Sequence, residues 1–202
     1  MKRSSREPLP LADRHTQRFA LRPFRRRDID ALYRAVCASK TELAEYLPWA
    51  TTAYTRATAA SFVRDSIHSW RETRAYDFAI RRPAEPGRHI GNVSVWHVSR
   101  PFRSGEIGYW IRTDETGLGI ATEVARAALK IGFEELNMHR MVLRIALGNV
   151  SSERIARKLG FVREGVLREE IKVGARWLDH SLWGLLDHEY RRAESARRSV
   201  LD

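Results

Sequence analysis

The sequence predicts a single α/β domain in which helices pack on a central sheet of about seven strands. Three observations carry this reading. Residues 76–80 (Tyr-Asp-Phe-Ala-Ile) and 90–98 are strand patterns joined by a polar loop with Pro and Gly, and the second alternates cleanly, as in an antiparallel hairpin. Residues 120–136 carry apolar or small side chains at 120, 121, 124, 125, 128, 129, 132, 133 and 136, a face too broad for a surface helix, so this helix packs on the sheet. A second hairpin, near 166–173 and 177–185, turns at Gly174. A chain of 202 residues is long enough for one well-buried core and short for two.

The remaining elements follow in order. Residues 1–15, rich in Arg, Ser and Pro, read as a mobile tail, 16–187 as the domain, and 188–202 as a charged helix or tail. Residues 19–24 alternate like a strand. Asp28 then caps a helix through Leu32 and Val36, which leaves Arg25, Arg26 and Arg27 as solvated charge in the connecting turn. A short second helix ends near Leu47-Pro48-Trp49. A longer one spans 56–71, with Ala60, Val63, Ile67 and Trp70 on its apolar side and Phe62 beside them. The strand at 106–111 follows a turn at Arg103-Ser104-Gly105, and another occupies 140–147. Asn149 opens and Gly160 stops a short helix.

Hydrophobic residues at 43% and charged residues at 30% describe an ordinary globular chain. The formal net charge of +11 favours acidic partners in general, such as a polyphosphate cofactor, ribosomal surfaces, nucleic acid or an anionic membrane. Arginine is spread along the chain, however, so charge alone selects none of them. The single cysteine, Cys37, excludes an internal disulfide framework and a cysteine-rich zinc site, and its apolar helical neighbours Leu32, Tyr33 and Val36 read as burial of a structural thiol. The histidines show no metal-ligand spacing, so no metal is expected. The absence of a signal-like or membrane-spanning apolar run gives a cytoplasmic expectation, with no membrane partner.

The run Thr116-Gly117-Leu118-Gly119-Ile120-Ala121 joins the strand at 106–111 to the broad-faced helix. Glycines let a backbone turn with its N–H groups pointing inward, and the helix adds unpaired N–H groups and the positive end of its dipole, which together suit a pyrophosphate. A dinucleotide fingerprint is excluded, since the third glycine is missing and the next strand, Arg140-Met141-Val142-Leu143-Arg144-Ile145-Ala146-Leu147, supplies no acid. No Gly-Lys-Ser/Thr follows, which excludes a Walker loop.

The ordered set Gly108-Tyr109-Trp110-Ile111, Gly117-Leu118-Gly119-Ile120-Ala121 and Asn149-x-x-Ser152 ending in Leu159-Gly160-Phe161 resembles the GNAT superfamily of N-acetyltransferases, RimJ/RimL type. Leu21-Arg22-Pro23, Tyr46-Leu47-Pro48-Trp49, Gly165-Val166-Leu167-Arg168 and Trp177-Leu178-Asp179-His180 agree with it, so the match covers roughly 17–187. The resemblance implies a mixed, mostly antiparallel sheet whose splayed strands form an acetyl-CoA cleft. It implies acetyl-CoA as donor, CoA as product, and transfer to a primary amine, above all a protein N-terminal α-amine. Aminoglycosides, polyamines and aminoacyl-nucleotides are the alternative acceptors, because one fold serves many substrates. It places the pantetheine arm on the backbone of Trp110, Ile111 and Arg112 and beside Asn149, and the pyrophosphate on the loop opened by Thr116 and Gly117 and on the N–H groups of Leu118, Gly119, Ile120, Ala121 and Thr122. A free N–H near Trp110 would polarise the thioester carbonyl.

Two positions depart from the family pattern. Thr116 stands where Gln or Arg usually opens the phosphate loop, and Ala156 stands where many relatives carry the tyrosine that protonates the thiolate. The resemblance offers Ser152 in place of that acid, and a first-turn cap is its other reading. A thiol of pKa about 8.5 departs almost unaided. For the base, Glu106 is the first candidate and Glu170 the second, with Glu169 competing; solvation is the alternative for each. Direct transfer follows from the lack of an activated Cys or Ser–His pair. A homodimer is a family expectation that no patch in the sequence demands. A reading from another class, a basic RNA- or ribosome-binding module that keeps the fold without the reaction, rests on the net charge, Thr116 and Ala156, but no nucleic-acid-binding motif accompanies them.

Overall fold

The computed structural model describes residues 7–199. Their strands are β1 (Arg14–His15), β2 (Ala20–Pro23), β3 (Tyr76–Arg81), β4 (Gly91–Ser99), β5 (Ser104–Ile111), β6 (Arg140–Ala146), β7 (Val162–Val173) and β8 (Arg176–Leu186). They form one sheet in the order β1-β2-β3-β4-β5-β6-β8-β7, antiparallel throughout except where β5 meets β6. The helices are α1 (Ile29–Cys37), α2 (Lys40–Leu43), α3 (Arg56–Arg71), α4 (Ile120–Lys130), α5 (Val150–Lys158) and α6 (Asp187–Arg198).

The strand beyond the expected seven is β1, two residues paired to β2, a length too short for periodicity to register. It lies in the segment expected to be a mobile tail. Residues 1–6 of that segment and 200–202 of the C-terminal one lie outside the described residues, but from Leu9 onward the chain packs: Leu9 is buried and its carbonyl accepts a hydrogen bond from Trp70 Nε1 at 2.9 Å.

Two apolar clusters sandwich the sheet. Val93, Val95 and Ile107 meet Ile120, Val124, Ala128 and Leu129 of α4 and Ala156 of α5. In the second cluster Ala79 and Trp110 meet Leu32, Ala35 and Val36 of α1 and Ala59 and Val63 of α3. Thr55 starts α3 by accepting from Thr58 N at 3.1 Å. Its buried stripe is Ala59, Val63, Ser66 and Trp70, so Ala59 takes the place expected for Ala60. The broad helix is α4 followed by a π-helical turn, Ile131–Glu135, which brings Ile131, Gly132 and Phe133 into the core.

Other local expectations are corrected. Asp28 stands at the start of α1, yet its carboxylate turns back to Arg25 N, Arg22 and Arg81 instead of capping that helix. Cys37, expected to be buried, is exposed at the end of α1, because Leu32, Ala35 and Val36 face the core and leave it on the opposite side. Among the described residues no helix is long and apolar enough to cross a membrane.

Candidate active site

Strands β5 and β6 pair only through Ser104–Arg140, Gly105–Met141 and Glu106–Val142. Beyond these, β5 stays with β4 to Ile111 and β6 stays with β8 to Ala146. The two parallel strands therefore splay, and their facing backbone groups have no ladder partner past Glu106. A cavity of about 460 Å³ opens there, lined by Ile107 to Trp110 on one side and Leu143 to Ala146 on the other.

At the far end of β5 the glycine run enters α4. Gly117 and Gly119 adopt φ of +79° and +73°, where a Cβ is strained, which is why both positions suit glycine. The backbone N–H groups of residues 117–122 find no acceptor within the protein, since the first internal bond is Glu123 N to Gly119 O at 3.2 Å. They make a cradle for an anion, and the space around Gly117 is open within 4 Å of a would-be Cβ. Thr116 contributes no side chain to it, because its hydroxyl donates to Thr113 O at 2.8 Å.

A cation is nonetheless present at the loop, contributed by β2's approach. Arg18 donates from Nη1 to Leu118 O at 3.0 Å and from Nε to Glu123 Oε2 at 2.7 Å, bracing the turn against the first turn of α4. Sequence reading missed Arg18, which lies about a hundred residues from the loop; no local pattern marks it. The structure also limits Arg112, whose N–H is spent on Ile90 O (2.8 Å) and whose carbonyl accepts from Glu115 N (3.0 Å). Its guanidinium is clamped by Asp114. The backbone pairing expected of Arg112 is thereby occupied, and the open strand groups belong to β5 before it.

On the α5 side of the cavity, Asn149 caps the helix through Oδ1, which accepts from Ser152 N at 3.1 Å and Ser151 Oγ at 2.9 Å. Tyr109, from β5, buries its hydroxyl next to Ser152 with no hydrogen bond formed between them. Burial pushes the Tyr109 phenol up to about 12, with the nearby Ser152 hydroxyl pulling the other way, so Tyr109 keeps its proton at neutral pH. Ala156, the position of the missing tyrosine, is fully buried.

The two candidate carboxylates come together on one guanidinium. Glu106 Oε2 accepts from Arg144 Nε at 3.0 Å and lies 3.0 Å from His97 Nδ1, while Glu170 Oε1 accepts from Arg144 Nη1 at 2.9 Å. These bonds, Glu106's first, raise the Arg144 guanidinium above its ordinary value. Glu106 lines the cavity and Glu170 stands behind Arg144. Glu169 is exposed, at φ +48° in a bulge of β7, where its N–H donates to Asp179. Asn92 also lines the cavity, its Oδ1 held at 2.6 Å by His89 Nε2. His89 is pushed down to about 3, by burial first and by Arg81 second, and so stays neutral. Among the described residues no group of three His, Cys, Asp or Glu side chains could hold a metal ion.

The chain resembles known acetyltransferases in sequence and fold. Residues 18–162 match the model of the acetyltransferase (GNAT) domain. The chain is 34% identical over 113 residues to the probable N-acetyltransferase YjcK of Bacillus subtilis, covering 55% of this chain and 62% of that relative, so less than two thirds of YjcK's length is matched. It is 25% identical over 141 residues to the ribosomal-protein-serine acetyltransferase of Escherichia coli, covering 70% of this chain and 77% of the relative. The solved structure of Mycobacterium smegmatis RimJ in complex with CoA-disulfide superposes with a TM-score of 0.85 at 26% identity, covering 95% of this chain and 98% of that one. A family match across most of the domain, joined to a splayed β5–β6 pair and a glycine cradle at the head of α4, shows that this chain belongs to the GNAT family of acetyltransferase domains.

Proposed function

We propose that the chain transfers an acetyl group from acetyl-CoA directly to a primary amine, with a protein N-terminal α-amine as the acceptor that fits best. One observation carries the reading: the splayed inner edges of β5 and β6 line a cavity that also has Glu106, Tyr109 and Ser152 in its wall, and the chain runs on from β5 into the unpaired N–H groups of residues 117–122. When bound, acetyl-CoA supplies an acetyl group already activated as a thioester. Residues 117–122 bind phosphate through backbone N–H groups, with the dipole of α4 and the Arg18 charge in place of the Gln or Arg absent at position 116. Trp110 and Ile111 present the β5 backbone, and Asn149 borders the cavity beside Ser152.

Tyr109 and Ser152 hold hydroxyl protons at the buried end of the cavity, where a departing thiolate takes one. Glu106 is the cavity carboxylate and receives the ammonium proton; Glu170 acts as a positioning residue, through Arg144. An α-amine of pKa about 8 asks less of that carboxylate than a lysine of about 10.4, which favours the N-terminal acceptor. The test is calorimetry with acetyl-CoA followed by mass spectrometry of peptides, aminoglycosides and polyamines for one added acetyl group. An absence of acetyl-CoA binding would sink the proposal, and steep salt-dependent RNA binding in its place would favour the binding-module reading.

A further inference from the structure

One wall of the cavity is built largely from rings. Tyr46, Leu47, Trp49 and Tyr54, in the segment between α2 and α3, line it together with Phe62 from α3 and Trp96 from β4. The rings are in mutual contact: Tyr33 stacks on Tyr54 (6.4 Å between centroids), Trp49 meets Tyr54 at 5.9 Å and Trp110 at 6.2 Å. The Trp96 ring lies so close over Gly108 that a Cβ there would come 2.5 Å from it. Trp49 and Trp96 remain 37% exposed, so both keep apolar ring surface open to solvent.

The formal charge of this lining is balanced. Glu106 is its one carboxylate among the described residues, and it is ion-paired to Arg144, which also lines the cavity. A polycation entering it would give up hydration and find no unpaired anion. A small hydrophilic amine would leave the rings wet.

We propose that the acceptor carries a compact apolar group, aromatic by preference, next to its amine: a peptide or aminoacyl compound whose first side chain is Phe, Tyr, Trp or Leu, in contrast to a serine or alanine N-terminus or a polyamine. This rests on the acetyltransferase reading and narrows its substrate. The ring wall is continuous with the cleft between β5 and β6, so a side chain seated against Trp49 and Trp96 leaves its α-amine toward Glu106.

The experiment is a steady-state panel with the full chain and acetyl-CoA: tetrapeptides that differ only in a first Phe, Leu, Ser or Gly, phenylalanine amide, and spermidine, alongside calorimetry of acetyl-CoA alone. Burial of a phenyl side chain corresponds to kcat/KM roughly 10- to 100-fold above the Ser and Gly peptides, with spermidine lowest. Trp49→Ala and, separately, Trp96→Ala lower kcat/KM for the Phe peptide about tenfold more than for the Gly peptide, through KM. Equal or better turnover of Ser, Gly or spermidine, or equal losses for both peptides in the Trp variants, overturns the substrate class while acetyl transfer stands. Acetyl-CoA binding without acetylation of any aromatic amine also overturns the substrate class. No binding of acetyl-CoA removes the acetyltransferase reading itself.

Discussion

Replacing Arg144 with Met tests whether one guanidinium holds both Glu106 of the cavity and Glu170 next to it. Arg144 bonds Glu106 through Nε (3.0 Å) and Nη2 (2.5 Å) and Glu170 through Nη1 (2.9 Å). The Glu106 side chain is 9% exposed and that of Glu170 18%, so without the cation two carboxylates stand close together in a poorly hydrated place. Removing one partner of a buried pair costs about 3–5 kcal/mol, and since Arg144 is 27% exposed the lower end applies, about 3 kcal/mol. For a domain of this size that is roughly a 6–12 °C drop in Tm. Urea unfolding and calorimetry of R144M, E106Q and R144M/E106Q give the cycle. Because most of the cost is an orphaned carboxylate, the double variant recovers roughly 1–2 kcal/mol relative to the sum of the singles. A loss below about 0.5 kcal/mol in R144M, or strict additivity, refutes the reasoning.

Four further outcomes follow from particular residues. Tyr109→Phe removes a buried hydroxyl that has no partner, so thermal stability holds or rises by about 1 kcal/mol while kcat falls; a kcat equal to the parent's removes Tyr109 and its proton from the reaction. Gly119→Ala puts a side chain at φ +73° without a clash, since the nearest atom, Arg18 Nη2, is 3.7 Å away; the strain of about 1–2 kcal/mol appears in urea unfolding and acetyl-CoA affinity drops with it. Arg18→Ala removes a cation beside the cradle and leaves the Glu123 carboxylate unpaired there, so acetyl-CoA Kd measured by calorimetry weakens by up to about fivefold, and the difference narrows in high salt. Asp77, beside the hydroxyls of Ser94 and Ser66, is raised above the ordinary carboxylate value, by burial first. Its raised folded value means the folded state resists ionisation, so the stability present below pH about 4 is lost as pH rises through the interval above it. Asp77→Asn abolishes that loss, and a Tm advantage over the parent that fails to grow between pH 4 and 7 contradicts the assignment.

Helices, strands and the glycine cradle were legible because their signals are local. Residue periodicity marks α3 and α4, alternation marks β4, and Gly117, Gly119 and Gly160 stand where φ is positive. The resemblance of three short motifs in order sufficed for the family. The partners of the site residues were not legible, since they depend on which strands become neighbours. Arg144 reads in sequence as one polar position of an alternating strand; only the insertion of β6 between β5 and β8, with β7 beyond, puts its guanidinium between Glu106 and Glu170 and leaves Glu169 in a bulge. Likewise Thr116 marked a missing side chain at the cradle, but that Arg18 reaches Leu118 from a distant segment is a fact of chain packing. Backbone conformation answers to nearest neighbours along the chain, so its signals survive in sequence, whereas charge pairing and the aromatic wall of the cavity come from contacts that exist only after the sheet has closed around them.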